Sequence, residues 1–168
     1  EKFYSFSREQ AMQAVSYYRE YYEEKGMFEN EVYPGIKQLL RDLTKQGVLC
    51  LVATSKPEIY AKKILDYYEL SNYFYYIAGA NMDGTRTDKA EVIAYALKQI
   101  PAEYSNKKVL MVGDRSHDII GAKKNGIDCA GVLFGYGSRE ELEEAGADFI
   151  ADSVEAVRNI VFLNAAKN

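Results

Sequence analysis

At 168 residues the chain is long enough for one domain with a small appendage, and a domain of that size buries most of its apolar surface. The net charge is −4 and the basic residues are scattered, so a nucleic-acid partner is not expected. No apolar run approaches the ~18 residues of a membrane span, and no basic-then-apolar leader precedes the first helix, so a membrane or secreted location is not expected either. Cys50 and Cys129 both lie in apolar stretches and read as small buried hydrophobes of a reducing cytoplasm, not as a metal pair.

In chain order, residues 7–25 carry a helical pattern that Ser7 caps, with Gln10 three residues on and Gly26 closing it. Tyr17, Tyr18, Tyr21 and Tyr22 fall at helical spacing in this segment, which predicts a packed aromatic face. After the turn at Tyr33-Pro34-Gly35 the pattern alternates. A helix over 36–45, a strand over 48–53, a helix over 57–68 and a strand over 75–78 lead to a helix over 89–99. A strand over 109–112, a helix over 116–125, a strand over 128–132, a helix over 139–144, a short strand over 148–150 and a helix over 154–162 complete it. Strands alternating with helices over this length imply βαβ units, a parallel sheet and helices on both of its faces.

The chemistry gathers at predicted strand ends. Residues 107–118, KKVLMVGDRSHD, run four apolar residues into Gly113-Asp114 and place Asp118 four positions later. The apolar run reads as a fully buried strand, and its carboxyl end is where open α/β sheets build ligand sites. Two carboxylates converging there repel each other unless a cation lies between them, and hard oxygen ligands favour Mg2+. A simpler reading gives Asp118 only a place in the first helical turn, complementing the helix dipole. Thr54 and Ser55 follow the strand ending at Ala53 and could offer a hydroxyl and backbone amides to phosphate oxygens, or merely cap the next helix. Lys89 opens a helix after the 84–88 turn. His117 is the only histidine, which leaves little material for a His-based triad or a zinc site and places it on the rim.

Together these residues resemble the haloacid-dehalogenase-like phosphohydrolases, in particular their phosphoglycolate-phosphatase-like branch. VYPGIKQLL looks like the start of that family's core after a helical cap, LCLVATSKP resembles its second motif with Thr54, and Lys89 in TDKAEV its third-motif lysine. VGDRSHDIIGAKKNGI resembles the fourth motif with Asp114 and Asp118, and GVLFGYGSREELEEAGADFIADS its closing segment. The resemblance implies a Rossmann-like parallel sheet over 33–168, a remnant of the α-helical cap over 1–32, and Mg2+-dependent hydrolysis of small phosphomonoesters through an aspartyl-phosphate. It assigns Thr54, Lys89 and Asp118 to catalysis, Thr54, Ser55 and Lys89 to substrate, and Asp114 and Asp118 to the metal.

One departure accompanies the match. The family's first motif, Asp-x-Asp-Gly-Thr after an N-terminal strand, has no counterpart ahead of Thr54; the similar string Asn81-Met82-Asp83-Gly84-Thr85 has Asn where the nucleophile belongs and reads as an Asp-Gly turn. The nucleophile is therefore expected outside these 168 residues, in a central strand, and the 168 residues alone are expected to be inactive. Two other readings follow from the same residues: a catalytically silent interaction fragment, and a receiver-like signalling domain, whose acidic pair and lysine occur in the opposite order.

Overall fold

The computed structural model describes residues 5–165 and consists of seven α-helices and five strands among the described residues. Helix α1 (Arg8–Glu24) begins at a capping box in which Ser7 Oγ accepts from the Gln10 amide at 3.2 Å and Gln10 Oε1 accepts from the Ser7 amide at 2.9 Å. It ends at Lys25, and Gly26 then opens a 3-10 turn over Gly26–Phe28 instead of supplying a left-handed cap. No residue of α1 is buried. Tyr17, Tyr18 and Tyr21 are more than half exposed, which corrects the expected packed face. Tyr22 reaches α3, meeting Tyr60 edge-on with ring centroids 5.5 Å apart, while the Tyr21 hydroxyl donates to Glu29 just beyond the helix at 2.7 Å.

The remaining elements alternate. Helix α2 (Ile36–Lys45) follows Gly35, whose φ of 88° suits only a residue without Cβ, and buries Leu39, Leu40 and Leu43. Strand β1 (Leu51–Pro57), helix α3 (Glu58–Tyr67), strand β2 (Tyr76–Ala80) and helix α4 (Lys89–Leu97) form one parallel pair with a helix against each face. Strand β3 (Leu110–Gly113), helix α5 (Ser116–Lys124), strand β4 (Asp128–Val132), helix α6 (Arg139–Glu144), strand β5 (Phe149–Ala151) and helix α7 (Val154–Ala165) form a second parallel sheet, ordered β3-β4-β5. The fold is thus the expected α/β arrangement, but β1 starts three residues late. Val48 is spent on closing α2, its amide donating to the Leu43 carbonyl at 3.0 Å, and pairing with the next strand's segment begins at the Cys50 carbonyl.

Side-chain alternation assigns the layers. Cys129 packs with Ile119, Ala122 and Leu142 under α5 and α6, whereas Val132 joins Leu39, Leu43, Ala151 and Val157 on the α2–α7 side. In the other half Ala78 packs with Val92 and Ala96 of α4. Cys50 is only half-buried, against the cluster of Leu39, Leu43 and Val132, whereas Cys129 is fully buried.

The two half-sheets are not joined by a strand ladder. β1 pairs only with β2 and β3 only with β4 among the described residues, so one edge of each carries unpaired backbone groups. Burial follows. β2 and β4 are buried along four of their five residues, whereas β1 and β3 have none, and Val112 is 39% exposed. The strand expected to be covered on both faces is therefore only partly covered, since among the described residues β4 alone pairs with it. Helix α4 connects the halves, packing on β1 and also against α5, and a second connection runs through α2 packed on α7.

Candidate active site

The carboxyl ends of β1 and β3 open into one cleft of about 600 Å³, lined by Thr54, Ser55, Lys89, Asp114, His117 and Asp118. The structure therefore brings together every residue that sequence reasoning had singled out for the site. Each arrives by a different route. Thr54 and Ser55 lie in the end of β1 just before α3, and Thr54 Oγ1 accepts from the Lys56 amide at 3.2 Å, which folds the chain tightly at that corner. Lys89 is the first residue of α4, whose N-terminus is fixed by Asp88, its carboxylate accepting from the Ala90 amide at 2.8 Å.

Lys89 spans the opening between the two half-sheets. Its Nζ donates to the Ala53 carbonyl at 3.1 Å and forms an ion pair with Asp118 Oδ1 at 2.9 Å, with only 15% of the lysine side chain and 10% of the aspartate side chain exposed. A cation buried to this extent survives because both of its contacts are oxygens. Asp118 is fully engaged: Oδ2 accepts from the amides of Asp114 at 3.1 Å and Arg115 at 3.2 Å. It thus folds the β3–α5 turn onto itself. Gly113 is needed for this turn, since a Cβ there would overlap the Asp118 side chain.

Asp114 is held differently. The Tyr136 amide donates to its Oδ2 at 2.9 Å and the Gly137 amide donates to its carbonyl at 2.8 Å, so the loop after β4 cradles it. Its Oδ1 accepts no protein hydrogen bond among the described residues, and the residue lines the cleft. Among the described residues no three His, Cys, Asp or Glu side chains cluster tightly enough to hold a metal by themselves. A hard-oxygen donor with a spare lone-pair direction, beside a carboxylate already committed to protein donors, fits Mg2+, which takes one or two carboxylates and keeps several waters or phosphate oxygens.

Two contributors were not anticipated. Glu141 on α6 accepts from the Ser116 amide at 2.8 Å and from Arg115 Nε at 3.0 Å, and these bonds, the backbone one first, pull its carboxyl down to about 2. It secures the N-terminus of α5 from outside. Lys56, the other, lines the cleft mouth and turns its ammonium onto Tyr22, 4.8 Å from the ring centroid, while donating to the Tyr22 hydroxyl. Both lie inside segments that carry the family resemblance, but the resemblance gives neither a role; a glutamate 23 residues beyond Asp118 is linked to it only by the fold. Asp83, by contrast, forms the expected turn: its Oδ1 accepts from the Thr85 amide at 2.9 Å and hydroxyl at 2.7 Å, outside the cleft lining.

A lysine, a hydroxyl and an acidic pair gathered at the carboxyl ends of parallel strands define a phosphoryl-handling α/β chain, and the family comparison agrees. The model of the haloacid dehalogenase-like hydrolases matches residues 1–132, and the chain belongs to that family. It is a phosphatase-type member, a phosphoric monoester hydrolase by kinship. A 5'-nucleotidase from Pseudomonas aeruginosa is 38% identical over 160 residues, 94% of this chain and 71% of that protein. The crystal structure of a predicted phosphatase from Clostridium acetobutylicum superposes with a TM-score of 0.85 at 43% identity, covering 96% of this chain and 74% of the other. Tyrosine-protein kinase PtkA of Mycobacterium tuberculosis is 39% identical over 142 residues, 84% of this chain, but the match spans only 48% of that longer protein.

Proposed function

We propose that this protein is a Mg2+-dependent phosphatase of small phosphomonoesters, of the phosphoglycolate, nucleotide or sugar-phosphate kind, acting through an aspartyl-phosphate whose aspartate comes from a strand between β1 and β3. The observation that carries the reading is Lys89, which reaches from the Ala53 carbonyl on one half-sheet to Asp118 at the head of the other, across two unpaired strand edges. An unpaired pair of edges flanking a cleft is a place for backbone pairing. A strand there would end beside Thr54, Lys89 and Asp114.

In this reading Thr54 Oγ1 and the Ser55 amide hold the non-transferring phosphate oxygens. Lys89 offsets the negative charge that accumulates when a phosphate dianion meets a carboxylate nucleophile. Asp118 keeps Lys89 aimed and, through its two backbone bonds, keeps Asp114 facing the cleft. Asp114, with Asp118 behind it, would hold Mg2+, which when bound supplies charge neutralisation at the phosphate. The nucleophile's carboxylate would form an acyl phosphate as the ester oxygen leaves, protonated by the second aspartate of the same Asp-x-Asp segment, and water would then break the acyl phosphate. Residues 1–32 would contribute to a cap that limits water in the cleft, and 33–168 to the core. Two cysteines without a disulfide support a reducing, cytoplasmic setting.

The test is trapping. The whole polypeptide of the reading frame, incubated with p-nitrophenyl phosphate and Mg2+ and quenched with borohydride, should carry a reduced aspartate outside residues 1–168; residues 1–168 alone should give no hydrolysis. Modification of Asp83 or Asp114, or turnover by residues 1–168 alone, would overturn the proposal.

A further inference from the structure

Behind the cleft a second group of charged side chains gathers where β2, α3 and α4 meet, in a shallow depression of about 410 Å³. Its centre is Arg86. The residue sits at φ 52°, a left-handed conformation costly for a side chain of this size, so something must hold it there. Three contacts do. Arg86 Nε donates to the Gly79 carbonyl at 2.8 Å, Nη2 pairs with Glu58 Oε2 at 3.3 Å, and the guanidinium carbon lies over Tyr95, 3.7 Å from the ring centroid.

Each contact belongs to a different element. Gly79 is in β2, Glu58 is the first residue of α3 directly after the Thr54–Lys56 corner, and Tyr95 is in α4, whose first residue is Lys89. The junction is tight: a Cβ at Gly79 would lie 2.6 Å from the Glu58 nitrogen and 2.7 Å from the Lys56 carbonyl. Glu58 Oε2 also accepts from the Gly79 amide at 3.4 Å, and Oε1 pairs with Lys62 at 2.7 Å. Arg86 therefore joins the corner that carries Thr54 to the helix that carries Lys89, three residues before that lysine. Both the arginine and Glu58 are about one-fifth exposed, so the pair is shielded from bulk screening.

We infer that Arg86 is a positioning residue for Lys89: the Arg86–Glu58–Tyr95 junction fixes the register between the Thr54 corner and the start of α4, and so sets where the lysine ammonium stands. Its consequence for turnover rests on the phosphatase reading above, whereas its consequence for the lysine does not.

The experiment uses the whole polypeptide with Arg86→Gly, Arg86→Lys and Glu58→Gln. Glycine tolerates φ 52°, so Arg86→Gly removes the side chain without adding backbone strain. Lysines are reductively methylated with 13C and the Lys89 resonance is assigned by its loss in Lys89→Arg. Arg86→Gly should move that resonance, Glu58→Gln should move it less, and Arg86→Lys should lie between wild type and Arg86→Gly. With p-nitrophenyl phosphate, kcat of Arg86→Gly should fall about 10-fold while KM and the Mg2+ concentration at half-activation stay within about 2-fold, since Asp114 belongs to the other half-sheet. An unmoved Lys89 resonance in folded Arg86→Gly, whatever the melting temperature does, would show Arg86 to be merely structural and sink the inference. A moved resonance in a protein with no phosphatase activity would uphold the positioning role and count against the phosphatase reading alone.

Discussion

The β3-β4-β5 half and the β1-β2 half of the molecule meet the same cleft but support it differently. In the first, Asp114 and Asp118 are held by backbone amides from the β3–α5 turn and from the loop after β4, a framework built almost entirely of main chain. In the second, Thr54 and Lys89 depend on side chains: Asp88 capping α4, Arg86 on Glu58, and Lys89 itself reaching across. A main-chain cradle survives most substitutions, whereas a side-chain brace is lost with any one of its members. Substitutions in the acidic half should therefore affect chemistry with little effect on geometry, and those in the lysine half should affect both.

The sharpest way to test that contrast is Asp114→Asn. The amide oxygen still accepts from Tyr136, so the cradle and the melting temperature should be retained while kcat falls about 100-fold or more in Mg2+. Near-normal turnover would remove Asp114 from the site. Lys89→Met should cost a similar factor in kcat, and here stability should fall too, by about 1–3 kcal/mol, because Asp118 loses its cation in a largely buried place. Unchanged urea midpoints for Lys89→Met would mean that the bridge contributes nothing to joining the halves.

Hydrogen exchange offers a smaller but more local test. In residues 1–168 the slot-facing amides of β1 and β3 should exchange far faster than those of β4, and in the whole polypeptide the difference should shrink as a strand pairs with them. Equal protection in both would argue that nothing enters between the half-sheets. The smallest effect concerns Glu141. Its folded-state value, about 2, lies below its ordinary 4.5, so its stabilising contribution is present above about pH 4.5 and is lost as pH falls toward 2. Melting curves of wild type and Glu141→Gln should differ at pH 7 and converge near pH 2; a constant gap would show that the Ser116 and Arg115 bonds do not depend on its charge.

Much of the architecture could be read from the sequence because its signals are local. The runs 109–112 and 128–132, Gly47 after an amphipathic helix, and the Ser7–Gln10 pair each specify their element within a few residues. The family resemblance then located Thr54, Lys89, and the pair Asp114 and Asp118 on three separate segments, and the fold gathers them into one cleft. What sequence could not reveal is non-local. Glu141 caps a helix 25 residues upstream, and Arg86 works through a glutamate 28 residues before it. The tyrosine spacing on α1 misled for a related reason: helical periodicity tells which residues share a face, not whether another element covers it.

That tyrosine-bearing helix has a practical consequence. The chain has fifteen tyrosines and no tryptophan, so its ultraviolet emission is tyrosine emission. Tyr18 stacks on Tyr22 with centroids 5.4 Å apart, Tyr22 rests against Tyr60, and Lys56 joins this trio to the cleft mouth. An anion bound in the cleft should compete with Tyr22 for the Lys56 ammonium, and release of the phenol from the cation should change its emission. Titration with inorganic phosphate should then report occupancy without a label, and Tyr22→Phe should abolish the change if the signal comes from this residue.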